Sequence, residues 1–255
     1  MDTRITAAAC AALLVAIAGC GPKTVSEGPA AAREADARVI AHTMAPGETL
    51  AQVADNYYGD PARASAVAAD NGLSDADRVA AGSVLELRFS KGEWERAQRR
   101  AAALGPYNRG VEQMGADRLA EAEESFRLAL QAAPDLHAAR YNLALVLVQR
   151  GKADEAVGIL GALCDERPND ADFRYAYGHA LFMASRADEA AVAFRTVLAA
   201  DPANRRAAFG LARALEAAGD EPGAIAAWER YLALDADSGW ANQARSRLRA
   251  LRHGG

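Results

Sequence analysis

Alanine followed four residues later by a large apolar residue recurs at one interval in this chain. The pairs are Ala122 and Phe126, Ala156 and Leu160, Ala190 and Phe194, and Ala224 and Trp228, each 34 residues after the last. Pro134, Pro168 and Pro202 keep the same interval. A period of this length and regularity demands a stack of equal units, because one such unit cannot bury its own apolar face. An alanine is small enough to let helices approach, a bulky apolar residue one helical turn later needs a buried place, and a proline ends a helix. The wider composition agrees: 51% hydrophobic residues, only 6% aromatic, with Ala and Leu interspersed with Glu and Arg, favour helix over strand.

This pattern resembles the tetratricopeptide repeat (TPR) family. Four contiguous repeats fit, at residues 103–136, 137–170, 171–204 and 205–238. Residues 239–255 read as a capping helix and tail, with Trp240, Ala244, Leu248 and Leu251 on the covering face. Residues 90–102 read as a helical linker, with helix expected from Glu93 to Leu104 and a break at Gly105-Pro106. Some positions depart from the family pattern. Gly115 falls two residues before the usual glycine between the helices, Arg109 replaces a common leucine, and Ala236 stands where the other repeats have proline.

The resemblance implies that the first helix of each repeat faces a concave groove through its second, fifth, ninth and twelfth positions. The fifth positions are Tyr107, Tyr141, Tyr175 and Phe209, an aromatic ladder spaced by one repeat. Beside them come Val111, Met114, Leu145, Val148, His179, Phe182 and Arg213, with Asp172, Arg206 and Glu216. The groove is thus expected to be apolar near the first two repeats, charged near the fourth, and suited to a protein or peptide partner. An alternative is that the tyrosines pack partly against neighbouring repeats. The basic side chains with which some family members capture a terminal carboxylate are not in the matching arrangement.

Residues 39–89 have another rhythm. A short strand at 39–44 leads to the turn Pro46-Gly47, then a helix capped by Glu48 or Thr49 with Leu50, Val53, Ala54 and Tyr57 on its apolar face. Gly59-Asp60-Pro61 starts a second helix with Ala64, Val67 and Ala68 inward, Asn71-Gly72 ends it, and Val84, Leu85 and Leu87 form a closing strand. With the stretches PGETL, YYGDP, NGL and GSVLEL, this βααβ segment resembles a lysin motif (LysM). That resemblance implies binding to N-acetylglucosamine-containing glycan, which in bacteria means peptidoglycan. It places Gly47, Glu48, Thr49 and Leu50 on one groove wall and Gly72, Leu73, Ser74 and Asp75 on the other. Gly47 and Leu50 would also be needed by the fold of a motif that had lost binding. Ala76 and Ala81 stand where the family often has proline.

The N-terminal 19 residues carry Arg4, then an apolar run of about 14 residues, shorter than the roughly 20 that cross a bilayer. The run ends in Ile17-Ala18-Gly19-Cys20, which resembles the lipobox of bacterial lipoproteins. This implies cleavage before Cys20 and lipidation of its sulfur, with two or more acyl chains giving a stable membrane anchor. Gly21, where an aspartate would signal inner-membrane retention, points to the outer membrane facing the periplasm. Residues 20–38 read as a flexible tether. Cys164 would be the one free thiol, so no disulfide framework is expected.

A formal net charge of −5 argues against a nucleic-acid binder. Catalysis has little room: His42, His137, His179 and His253 are scattered, none has a metal-ligand spacing with Cys164, and the acidic pairs open helices, where carboxylates favour the dipole. No catalytic residue, metal or cofactor is assigned. The expected molecule is mainly α: a small βααβ lysin-motif domain, then an α-solenoid of four tetratricopeptide repeats with a C-terminal capping helix. The expected role is a non-catalytic envelope scaffold. A cofactor of a wall synthase or hydrolase, and an assembly factor for a pilus or secretion machine, remain open.

Overall fold

The computed structural model describes residues 38–73 and 79–253. The chain divides into two compact units, one running through Ala139 and the other from Arg140.

In unit 1, strand β1 (Arg38–Thr43) pairs antiparallel with β2 (Val84–Phe89), Arg38 opposite Phe89 and Thr43 opposite Val84. Between them lie helix α1 (Leu50–Tyr58), a 3-10 turn (Pro61–Arg63) and α2 (Ala64–Asp70). Alternation along β2 turns Leu85, Leu87 and Phe89 inward, onto Leu50, Val53 and Tyr57 of α1 and Val67 of α2. Two strands alone are marginal, so the helices complete this core. Thr49 caps α1: its hydroxyl accepts from the Gln52 amide at 3.2 Å while Gln52 Oε1 accepts from the Thr49 amide at 2.8 Å.

Helix α3 (Lys91–Gly115) corrects the expected break at Gly105-Pro106, for it continues through both residues. Pro106 removes one helical hydrogen bond. The carbonyl deprived of it belongs to Ala102, an exposed residue, while the stripe Ala97, Arg100, Ala103, Gly110 and Val111 stays buried across the proline. Packing at both ends of α3 overrides the local breaker. Its N-terminal part inserts Ala97 and Trp94 into the small core; its C-terminal part packs on α4 (Leu119–Ala132), where Phe126 lies against Gly110. The linker and first repeat helix are therefore one element.

Helix α5 (His137–Gln149) contains the division between the units. Unit 2 continues with α6 (Ala153–Glu166), α7 (Ala171–Met183), α8 (Ala187–Ala200), α9 (Arg205–Ala217), α10 (Glu221–Leu234) and α11 (Gly239–His253). From α6 onward, each helix packs on the next. Asp170, Asn204 and Asp220 cap α7, α9 and α10, accepting from amides in the first turn. Pro222 sits in the first turn of α10, where no helical hydrogen bond is lost. Phe194 of α8 lies between Gly178 and Gly210; a Cβ on either would come within 3.0 and 2.7 Å of its ring.

The turn between paired helices repeats as strictly as the helices. Asp117, Gly151, Ser185 and Gly219, 34 residues apart, all have positive φ, from 57 to 79°. Asp117 and Ser185 hold the left-handed conformation without being glycine, so Gly115 leaves its own repeat with a backbone cost at Asp117.

Candidate functional sites

The small domain places the eight residues of the expected glycan groove unequally. Leu50 is only 1% exposed and belongs to the core, so it offers no apolar wall. The Thr49 hydroxyl is occupied by the helix cap. Glu48 turns inward: its Oε2 lies 2.9 Å from His42 Nε2 and accepts from the Ala45 amide at 2.9 Å, while His42 Nδ1 meets the Tyr57 hydroxyl at 3.2 Å. Burial by itself would raise the Glu48 carboxyl pKa, but the hydrogen bonds from His42 and the amide outweigh it and hold the group below the usual range. These three side chains thus build the β1–α1 turn. Gly47 and Gly72, with φ of 78 and 65°, have open space where a Cβ would point, and Leu73 packs partly on the core. Ser74 and Asp75 lie outside the described residues, as does Cys20.

A site that sequence reading missed is Arg100, 2% exposed in the middle of α3. A buried guanidinium is tolerable only when its donors are satisfied. Nη1 donates to the Asp55 carbonyl at 2.6 Å, and Nη2 to the carbonyl and Oδ2 of Asp135, both at 2.8 Å; Nε faces the same Oδ2 at 3.3 Å. The α1 carbonyls belong to its last turn, where the dipole favours a cation. Burial would raise the Asp135 carboxyl pKa, but the Arg100 bond and charge prevail and keep it low. Beside this clasp, His137 Nδ1 approaches Asp55 at 3.5 Å. Gly59 has to be glycine, since its φ is 78° and a Cβ would come within 2.8 Å of Arg100 Nη2. Arg63 and Glu93 pair across the same junction, and Arg63 covers the Tyr58 ring at 4.3 Å. The small domain and the α3–α4 pair are thereby joined within unit 1. The legible signal was the i, i+3, i+6 stripe of Ala97, Arg100 and Ala103, a charge where apolar spacing calls for a small residue.

The expected aromatic ladder is turned sideways. Tyr107 packs on Phe126 at 5.9 Å between centroids, Tyr141 on Phe173 at 5.5 Å, Tyr175 on Phe194 at 5.7 Å and Phe209 on Trp228 at 5.0 Å. Each ring is half-buried: Tyr141 meets a ring of the next repeat, whereas Tyr107, Tyr175 and Phe209 meet Phe126, Phe194 and Trp228 within their own repeats and wedge paired helices together. Val111 and Val148 are 7% and 6% exposed, which corrects their expected place in the groove: both are buried in the helix packing. Met114, Leu145, His179 and Phe182 are half-buried and Arg213 is exposed. Burial first, and the Arg213 charge second, lower the His179 pKa, favouring a neutral imidazole.

Helix α11 also differs from expectation. It buries Ala241, Ala244 and Leu248, whereas Trp240 is 48% exposed and meets Phe209 edge-on at 5.1 Å. Trp240, Gln243 and Arg247 follow Arg206, Phe209 and Arg213 by 34 residues, so α11 continues the inner-face lattice by one helix. Its opposite side is polar, with Asn242, Arg245, Ser246 and Arg249 exposed, which suits a cap.

Among the described residues no three His, Cys, Asp or Glu side chains gather as metal ligands, and no helix is long and apolar enough to cross a membrane. Burial raises the Cys164 thiol pKa, which disfavours the reactive thiolate.

Paired helices at a 34-residue interval, with small residues under aromatic wedges and a lined inner face, define a helical-repeat scaffold of the protein–protein interaction class. The tetratricopeptide repeat family model matches residues 113–180 and 181–250, and the chain belongs to that family. Solved structures agree on the fold. MamA residues 41 to the end from Desulfovibrio magneticus RS-1 is 20% identical, with a TM-score of 0.55 over 59% of this chain and 83% of that one. YrrB, described as a TPR protein with an unusual peptide-binding site, is 22% identical, with a TM-score of 0.53 over 61% and 81%. A tetratricopeptide repeat protein from Parabacteroides merdae ATCC 43184 is 16% identical, with a TM-score of 0.53 over 60% and 61%. A search of curated proteins found no match.

Proposed function

We propose that the chain is a non-catalytic, lipid-anchored envelope scaffold that grips peptidoglycan with residues 39–89 and holds a protein partner on the inner face of its repeats. The observation that carries the partner-binding half is that face itself, where half-buried rings and an exposed arginine recur at the positions that face a ligand in this family. YrrB, a neighbour in fold, is described as having a peptide-binding site. The glycan half rests on the lysin-motif stretches PGETL, YYGDP, NGL and GSVLEL, and on the open turns at Gly47 and Gly72. The anchor rests on the lipobox at Cys20.

The deciding experiment is co-sedimentation of a soluble Cys20→Ser chain with protein-free sacculi, with N-acetylglucosamine oligomers as competitor. Pelleting that the oligomers reverse supports glycan binding; a chain that stays in the supernatant rejects it. Point substitution or competition is preferable to deleting residues 39–89, because the deletion would uncover Trp94, Ala97 and Arg100. Radiolabelled palmitate incorporation, lost in Cys20→Ser, tests the anchor separately.

A further inference from the structure

Charges along the inner face of unit 2 cancel in pairs, with one exception. Arg206 lies 3.3 Å from Asp172 and covers the Tyr175 ring. Arg247 bonds Glu216, whose other oxygen accepts the Trp228 indole N–H at 3.2 Å. Arg213 instead stands 4.5 Å over the Phe182 ring, with no carboxylate partner among the described residues. A guanidinium stacked on a ring is held in orientation while its N–H edge stays available. Arg213 lines a cleft of about 330 Å³ together with Phe182, Glu216, Trp228, Gln243 and Arg247. Glu216 does not repel an anion strongly here, since Arg247 and the indole already engage it. Trp240 and Phe209 lie on the same inner face, edge to face at 5.1 Å, and Trp240 is exposed.

We infer that this cleft takes the carboxylate side chain of an aspartate or glutamate within a linear peptide, with a neighbouring apolar side chain on the Trp240 and Phe209 rings. The inference rests on the proposed role of the inner face as a partner groove. Charge complementarity selects the occupant: the chain as a whole carries −5, yet the unmatched charge of this face is a cation with a planar fork that fits a carboxylate. A side chain fits better than a chain terminus because Arg213 stands in mid-groove, with inner-face residues of α7 on one side and of α11 on the other.

The test is selection of a displayed random-peptide library on the full Cys20→Ser chain, beside Arg213→Glu, Arg213→Lys and Arg213→Gln. Arg213 is exposed, and circular dichroism checks that each variant stays folded. The expected result is enrichment of Asp or Glu beside an apolar residue on the parent and on Arg213→Lys, and a switch to Lys or Arg on Arg213→Glu. An end-capped synthetic copy of the winning peptide should bind Arg213→Gln roughly tenfold more weakly. Apolar winners without an acid, the same on parent and Arg213→Glu, overturn the carboxylate site and leave the groove reading standing. Acidic winners whose binding is lost on end-capping overturn the side-chain assignment. No enrichment over an unrelated protein surface overturns both the site and the groove.

Discussion

Arg100 and Phe194 are both almost fully buried between packed elements of one unit, and they hold those elements together by opposite means. Arg100 is a buried charge that joins carbonyls of Asp55 and Asn56 to Asp135, groups brought together from far along the chain. Phe194 is a ring between two glycines of adjacent helices, a contact that the 34-residue lattice repeats in kind at Gly110 and Phe126. The polar clasp is specific: one guanidinium satisfies several groups at once, and its loss strands all of them. The wedge is spread over several equivalent sites, and each carries part of the cohesion. The lesson is that a repeat array stabilises itself by redundancy, whereas the junction of a small domain with it concentrates its polar contacts around one buried charge.

The largest expected effect breaks the clasp. Arg100→Met should destabilise unit 1 by about 3 kcal/mol, since the hydrogen bonds go and Asp135 loses its cation. Urea unfolding followed by the single Trp94 fluorescence, in a chain carrying Trp228→Phe and Trp240→Phe, reads it. A midpoint that does not move would show the clasp to be dispensable. Next, Gly210→Ala should cost unit 2 about 1–3 kcal/mol, because the new Cβ would overlap the Phe194 ring, which has to shift in a close-packed interior. Helicity melts should then show a loss confined to the second unit; loss of the Trp94 signal as well would erase the contrast between the units.

A smaller effect concerns pH. The Glu48 carboxyl has its pKa lowered by folding, so the stability it contributes is present above the usual value near 4.5 and lost as pH falls through the lower folded value. Melting temperatures from pH 7 to pH 3 should fall less steeply in Glu48→Gln than in the parent; parallel curves would remove the His42–Glu48 pair from the account. The smallest expected change is a gain. Asp117→Gly and Ser185→Gly should each stabilise the chain by about 0.5–1 kcal/mol by relieving a left-handed conformation, a rise of a few degrees in Tm.

Much of this architecture was legible in the residues alone. The 34-residue period specified paired helices, and the buried face Leu50, Val53, Ala54 and Tyr57 of α1 matches its spacing. Both follow from local geometry, because side-chain direction repeats with the helical turn whatever lies opposite. What the residues did not show was decided by partners distant in the chain. Gly105-Pro106 reads as a break, yet packing at both ends of α3 holds the helix together. Glu48 and Thr49 read as ligand-facing polar residues, yet His42 and Gln52 claim them. Trp240 reads as a capping contact, yet Ala241 takes the buried place and leaves its ring on the inner face. Periodicity therefore determined which residues are helical and most of those that are buried. Tertiary structure alone decided which polar groups are spent inside the protein and which, like Arg213, remain for a partner, because a hydrogen bond or ion pair depends on where both of its ends come to lie.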